Sequence, residues 1–271
     1  MHEFAMENEN YLTVNRQSWN NRVDAHVNSD FYNMKDFLNG ESSLKSVELD
    51  LLGDVSGKKI LHLQCHFGQD SISLARMGAS VTGVDLSDLA IDKARELAVQ
   101  LNADAKFVCC DIYDLPNHLN EKFDIVFTSY GTIGWLPDMD KWAAVIAHFL
   151  KPEGVFVFVE FHPFVWTFDD EFAKIGYDYF NSTPIVEVES GTYADREAAI
   201  TQNYVMWNHN IAEVINSLIN AGLKINKMNE FNYSPYNCFK HTMMIDKDKY
   251  VIKHFGHKFP MLYSLLATKT D

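Results

Sequence analysis

The chain has 271 residues, 47% of them apolar and 22% charged, which fits a folded globular protein and excludes a disordered or fibrous one. Its formal charge is −14 and no run of lysine or arginine occurs, so little in it would neutralise a phosphate backbone and no nucleic-acid partner is expected. The longest apolar stretch, Val155 to Phe168, is broken by Glu160, His162 and Pro163 and is too short to cross a bilayer, so no membrane partner is expected either.

Met1 to Asn10 is acidic and lacks the basic start and apolar core of a signal peptide. It reads as a disordered leader, and the protein as cytoplasmic. Tyr11 to Leu52 reads as a mostly helical cover carrying Trp19, Phe31, Tyr32 and Phe37. From there apolar runs alternate with helical patterns. Lys59–Leu63 is a strand, Asp70–Met77 a helix, Ser80–Val84 a strand, Asp88–Leu101 a helix and Ala105–Cys110 a strand. Phe123–Thr128 is a fourth strand and Met139–Leu150 a helix. Lys151–Gly154 reads as a turn, and Val155–Phe161 as a fifth strand. Strands that are continuously apolar suit a parallel sheet covered on both faces, so the pattern is a doubly wound α/β fold. Pro163 to Met206 mixes aromatic and acidic residues in no clear period. Asn208–Ala221 is a helix closed by Gly222, and Leu223–Tyr233 and Phe259–Thr268 are strands expected to pair antiparallel.

The four cysteines, Cys65, Cys109, Cys110 and Cys238, show no CxxC spacing and read as buried free thiols. His62, Cys65 and His66 lie close in sequence. Strand alternation turns His62 away from Cys65, and no acidic ligand adjoins them, so no metal is expected.

The densest local signal is Ile60-Leu-His-Leu-Gln-Cys-His-Phe-Gly-Gln-Asp70, a strand running through a turn into a helix. The next strand ends in Val84-Asp85-Leu86-Ser87, where a carboxylate can accept both hydroxyls of a ribose. The third ends in Cys109-Cys110-Asp111-Ile112, and the fourth in Thr128-Ser129-Tyr130-Gly131. Four successive strand ends bearing suitable groups carry more weight than any one of them.

With these residues in view the chain resembles the class I S-adenosylmethionine-dependent methyltransferases of small-molecule type. The resemblance covers roughly Asn15 to Lys269, with Phe123 to Pro137 and Leu150-Lys-Pro-Glu-Gly154 especially similar. It implies a Rossmann-like, mostly parallel seven-stranded sheet with an antiparallel final strand. Residues 11–271 would form one domain, with 11–52 as a helical cover and 164–206 as a cap inserted after the fifth strand. It also implies S-adenosyl-L-methionine as cofactor. Gln64, Cys65, His66, Phe67, Gly68 and Gln69 would hold its methionine part, Asp85, Leu86 and Ser87 its ribose, and Asp111 and Ile112 its adenine. Ser129 and Tyr130 would stand beside the reactive sulfur.

The chain departs from the family's turn, whose three glycine positions are here Gln64, His66 and Gly68, and His62 replaces a common acidic residue. The reaction implied is direct displacement of the methyl group by a nitrogen, oxygen or carbon nucleophile of a small-molecule substrate. His26, His162 and His209 are the candidates for a general base. Trp19, Trp135, Trp166 and Tyr179 are the candidates for pocket walls, joined by Phe31, Tyr32, Phe168 and Tyr177. Two alternatives stay open: a non-catalytic S-adenosylmethionine-binding protein, and a nicotinamide-dependent oxidoreductase.

Overall fold

A computed structural model describes residues 11–180 and 183–270, so the expected leader at 1–10 lies outside the described residues. The chain begins with three helices, α1 (Tyr11–Val27), α2 (Met34–Leu38) and α3 (Ser46–Leu52). Strands and helices then alternate through β1 (Lys59–Leu63), α4 (Gln69–Arg76), β2 (Ser80–Asp85), α5 (Asp88–Gln100) and β3 (Ala105–Cys109). The short α6 (Leu115–His118) precedes β4 (Phe123–Ser129), α7 (Met139–Phe149) and β5 (Leu150–Phe161). A hairpin of β6 (Ile185–Ser190) and β7 (Thr201–Met206) leads to α8 (Ile211–Asn220) and β8 (Leu223–Phe231). A second hairpin, β9 (Thr242–Asp246) and β10 (Lys249–Ile252), comes before β11 (Leu262–Lys269).

The seven-stranded sheet runs β3-β2-β1-β4-β5-β11-β8. β1, β2, β3, β4 and β5 pair in parallel, and β11 is antiparallel to both of its neighbours, β5 and β8. The order reverses between β1 and β4, and in an open α/β sheet the cleft at such a reversal opens at the carboxyl ends of the strands. The core forms because helices close both faces. Trp142 of α7 is fully buried, with ring centroids 5.5 Å from Phe156 and 5.4 Å from Phe158 of β5. Among the described residues no helix is long and apolar enough to cross a membrane.

Local chemistry sets the ends of the helices. Ser87 caps α5 by accepting from the Ala90 N–H, and Asn210 caps α8 by accepting from the Glu213 N–H. The latter cap starts α8 three residues later than the apolar pattern suggests. The turn expected at Lys151–Gly154 is instead absorbed within β5. Phe123 pairs with Leu150 and Ile125 with Val155, so one strand takes five steps while the other takes two, and Glu153 takes a left-handed φ of 59° inside the bulge. Neither hairpin was legible as strands, because each pairs only with itself and keeps one or both faces wet.

Gly83 lies at the centre of β2, where an added Cβ would stand 2.7 Å from the Phe107 ring and 2.8 Å from Cys65 Sγ. Gly83→Ala is therefore expected to lower stability by about 1–3 kcal/mol, the usual scale of overpacking. Urea unfolding measures this, and an unchanged midpoint would mean that Phe107 yields without cost.

Candidate functional site

The turn between β1 and α4 is left-handed at every second residue, with φ of 54° at Gln64, 52° at His66 and 82° at Gly68. These are the three positions at which the resemblance leads one to expect glycine. The backbone keeps the conformation even where the side chain is large, at a cost of about 1–2 kcal/mol for each non-glycine residue. Three contacts offset it. Gln64 Nε2 donates to the Thr132 carbonyl at 2.8 Å, the His66 N–H donates to Asp85 Oδ2 at 2.8 Å, and the Gly68 N–H donates to the Cys65 carbonyl at 2.9 Å. Only Gly68 has no substitute, since a Cβ there would stand 2.8 Å from Phe107 and 2.9 Å from Ala94.

Asp85, at the end of β2, has each oxygen engaged once, by the N–H of His66 and by the N–H of Ser87 at 2.9 Å. Burial pushes its carboxyl above the usual range and these backbone donors push it back. Asp111 accepts from the Tyr113 N–H at 3.1 Å and, like Ile112, lines the same cavity. Burial raises its carboxyl too. Ser87 differs from the expectation. Its hydroxyl caps α5 and donates to Asn20 Oδ1 at 2.7 Å, and the residue lies outside the cavity wall, unlike its neighbour Leu86.

Beyond β4 the loop Gly131–Ile133 wraps the carboxylate of Glu160, at the end of β5. Glu160 accepts from the N–H groups of Thr132 at 2.7 Å, Ile133 at 3.2 Å and Phe161 at 2.7 Å, and from the Thr132 hydroxyl at 3.0 Å. It is 2% exposed, and among the described residues no cation pairs with it; peptide dipoles take that place. This arrangement presents Ser129 and Tyr130 to the cavity, which also takes in Gln64 to Gln69 and measures about 800 Å³.

The roof of the cavity comes from α1 and from the insertion, which are laced together. Asn15 and Val205 exchange two hydrogen bonds, of 2.8 and 2.9 Å. Arg22, fully buried, pairs with Glu189 at 2.8 Å, and its guanidinium lies 5.2 Å from the Trp19 ring centre and 5.7 Å from that of Trp135. His26 meets Thr192 at 2.8 Å, and Tyr32 meets the Tyr193 hydroxyl. Trp19, Trp135 and Trp166 line the cavity as expected, and so do Phe31, Tyr32, Phe168 and Tyr177. Tyr179 does not; it packs 5.0 Å from Phe180. Tyr236 and Phe239, between β8 and β9, line the cavity although the sequence reading passed over them. Their signal was only a turn, Ser234-Pro235, followed by aromatic residues.

None of the three candidate bases offers a free nitrogen to the cavity. His26 is fully buried between His66 Nε2 and Thr192, both at 2.8 Å, and burial, with His66 and Arg22 beside it, keeps its ring neutral. His162 meets Glu230 at 3.0 Å and accepts from the Phe164 N–H at 3.1 Å, outside the cavity wall. His209 lines the cavity, yet one nitrogen meets the Leu136 carbonyl at 2.7 Å and the other meets Glu213 at 3.1 Å.

Residues 60–154 match the family model described as a methyltransferase domain. An uncharacterized methyltransferase of Synechocystis sp. is 34% identical over 131 residues, 48% of this chain and 59% of that protein. A ubiquinone biosynthesis O-methyltransferase of Coxiella burnetii is 34% identical over 115 residues, 42% of this chain and 47% of that protein. The chain thus spans about half the length of these curated relatives. In fold it is similar to geranyl diphosphate C-methyltransferase from Streptomyces coelicolor, with a TM-score of 0.63, 15% identity, and coverage of 96% of this chain and 98% of that one. Residues 60–154 thus carry a methyltransferase domain, and the sheet around them has the fold of S-adenosylmethionine-dependent methyltransferases.

Proposed function

We propose that the protein transfers a methyl group from S-adenosyl-L-methionine to a nitrogen, oxygen or carbon atom of a small molecule. The observation that carries this reading is the convergence of the ends of β1, β2, β4 and the Asp111 turn on one roofed cavity. The residues fit such a ligand. Gln64 Oε1 is buried with no partner, a bare acceptor in the turn where an ammonium group would lie. Each Asp85 oxygen, already bonded once, keeps capacity for a ribose hydroxyl.

Bound there, the sulfonium supplies an activated methyl carbon with a neutral thioether as leaving group. The chain's own residues bind, orient and exclude water. Residues 11–271 act as one unit in this reading, because α1 and the insertion roof the sheet. A cytoplasmic setting fits the four free thiols. A relative named for ubiquinone biosynthesis supports a small organic acceptor. A nicotinamide cofactor is not favoured, since its pyrophosphate needs close backbone approach where the side chains of Gln64 and His66 stand.

Calorimetry should detect binding of both S-adenosylmethionine and S-adenosylhomocysteine. Asp85→Ala should weaken that binding by about 1–3 kcal/mol, the scale for hydrogen bonds to a charged acceptor. Unchanged affinity would reduce Asp85 to a backbone brace for His66 and Ser87.

His66→Gly relieves the left-handed φ of 52° but leaves His26 Nδ1 without its partner. The two effects oppose each other, so affinity for S-adenosylhomocysteine should stay within about tenfold, or 1.4 kcal/mol. A complete loss would make the imidazole itself a ligand.

Incubation with methyl-labelled cofactor and fractionated cell extract should place label in the low-molecular-weight fraction. Label recovered in RNA, DNA or protein would overturn the choice of a small acceptor.

A further inference from the structure

An acceptor that attacks through N–H or O–H must give up a proton; His26, His162 and His209 are held by partners, and burial pushes His62 and His66 down to about 3, too weakly basic to take it. We propose that Asp70 receives this proton, and that Tyr130, held from behind by Glu48, fixes the acceptor's heteroatom beside it. The proposal rests on the methyl-transfer reading and names the chemistry of the acceptor: a neutral amine or a phenol-like hydroxyl, not a carboxylate.

Asp70 sits in the first turn of α4, one residue beyond the cofactor turn, and lines the cavity. The Ser43 hydroxyl donates to its Oδ1 at 2.6 Å, and the Ser129 hydroxyl is a second partner. Tyr130, the residue after β4, lines the same cavity, with its ring edge-on to Tyr236 at 5.0 Å. Its hydroxyl donates to Glu48, which is fully buried in α3, also accepts from the Lys45 N–H at 2.5 Å, and is absent from the cavity wall. Glu48 therefore acts only through Tyr130 and is a positioning residue.

The groups facing Asp70 come from five directions. They are Glu48 and Lys45 at α3, Tyr32 after α1, Cys65 after β1, Tyr130 after β4 and Tyr236 after β8. The Lys45 ammonium is shared with Asp248 at 3.3 Å and lies 5.1 Å over the Tyr236 ring, so it tempers the pair without cancelling it. Burial and then the charge of Asp70 push Glu48 up to about 8, against its bonds from Tyr130 and Lys45. Burial also raises Asp70, while Ser43, Lys45 and Ser129 hold it down. Two neighbouring buried carboxyls do not readily both carry charge, and Glu48, pushed up to about 8, is the one that keeps its proton at neutral pH. Asp70 is the one that faces the cavity. The step balances: the heteroatom's lone pair forms the bond to the methyl carbon, the C–S pair stays on sulfur, and the heteroatom's proton passes to the Asp70 carboxylate.

The test uses the full chain, labelled with carboxyl ¹³C-aspartate and saturated with S-adenosylhomocysteine. Phenol, aniline and benzoate serve as probes. Phenol or aniline should shift the Asp70 resonance, and benzoate should not. Because the raised Asp70 must ionise to accept a proton, the response should grow as pH rises through its midpoint. Glu48→Gln and Tyr130→Phe should each move that midpoint, which a merely structural role would not do. Asp70→Asn should bind S-adenosylhomocysteine within about threefold of the parent and yet lower label transfer by about 100-fold or more. An Asp70 resonance unmoved by all three probes, or moved as much by benzoate, would overturn the proposal. So would loss of S-adenosylhomocysteine binding in Asp70→Asn, which would make Asp70 part of the cofactor site. Failure of the parent protein itself to bind S-adenosylhomocysteine would instead sink the methyl-transfer reading.

Discussion

The carboxylate of Glu160 is the fixed point about which the site is arranged. A buried anion is tolerated only when donors surround it, and here the donors are the peptide N–H groups of the loop leaving β4. Satisfying Glu160 dictates the path of that loop, and the path places the Thr132 carbonyl within reach of Gln64. The strained turn after β1 is thus braced on one side by β5, through the loop, and on the other by β2, through Asp85. Three parallel strands share the task of holding one conformation, which explains how it persists with two bulky residues at left-handed positions.

The roof obeys a related rule. Arg22 is fully buried with one carboxylate partner and two tryptophan faces. Stripping Glu189 from such a pair leaves an uncompensated charge, a loss of about 3–5 kcal/mol. Asn15, His26 and Tyr32 likewise have their partners in the insertion. Removing the insertion would therefore damage α1 as well, and the two halves of the roof cannot be dissected by deletion.

The sheet and the cofactor-side strand ends were legible because continuous apolar strands and helical periods are strong local signals. Asp85, Asp111, Ser129 and Tyr130 fall where the reading put them for the same reason: strand ends are fixed by the pattern. What stayed hidden depends on contacts between residues far apart in the chain. Glu160 read as an interruption in an apolar run, and its role needs a loop 27 to 29 residues earlier. Ser87 carried a plausible ligand pattern, but a serine ahead of a helix serves its cap first. The histidines looked like bases because sequence does not reveal that a backbone carbonyl or a second imidazole already occupies them. Tyr236 and Phe239 reach the cavity only because the segment after β8 folds back over it.

The lacing of α1 to the β6–β7 hairpin bears on timing as well as shape. Elements joined by a buried ion pair and several hydrogen bonds share a single opening free energy, so they part together. A molecule enclosed beneath them leaves at a rate set by that opening, whatever the speed of the chemistry inside. Exchange would then be governed at the roof, and loosening a tie such as Asn15 with Val205, far from the strand ends, would quicken the release of whatever the cavity encloses.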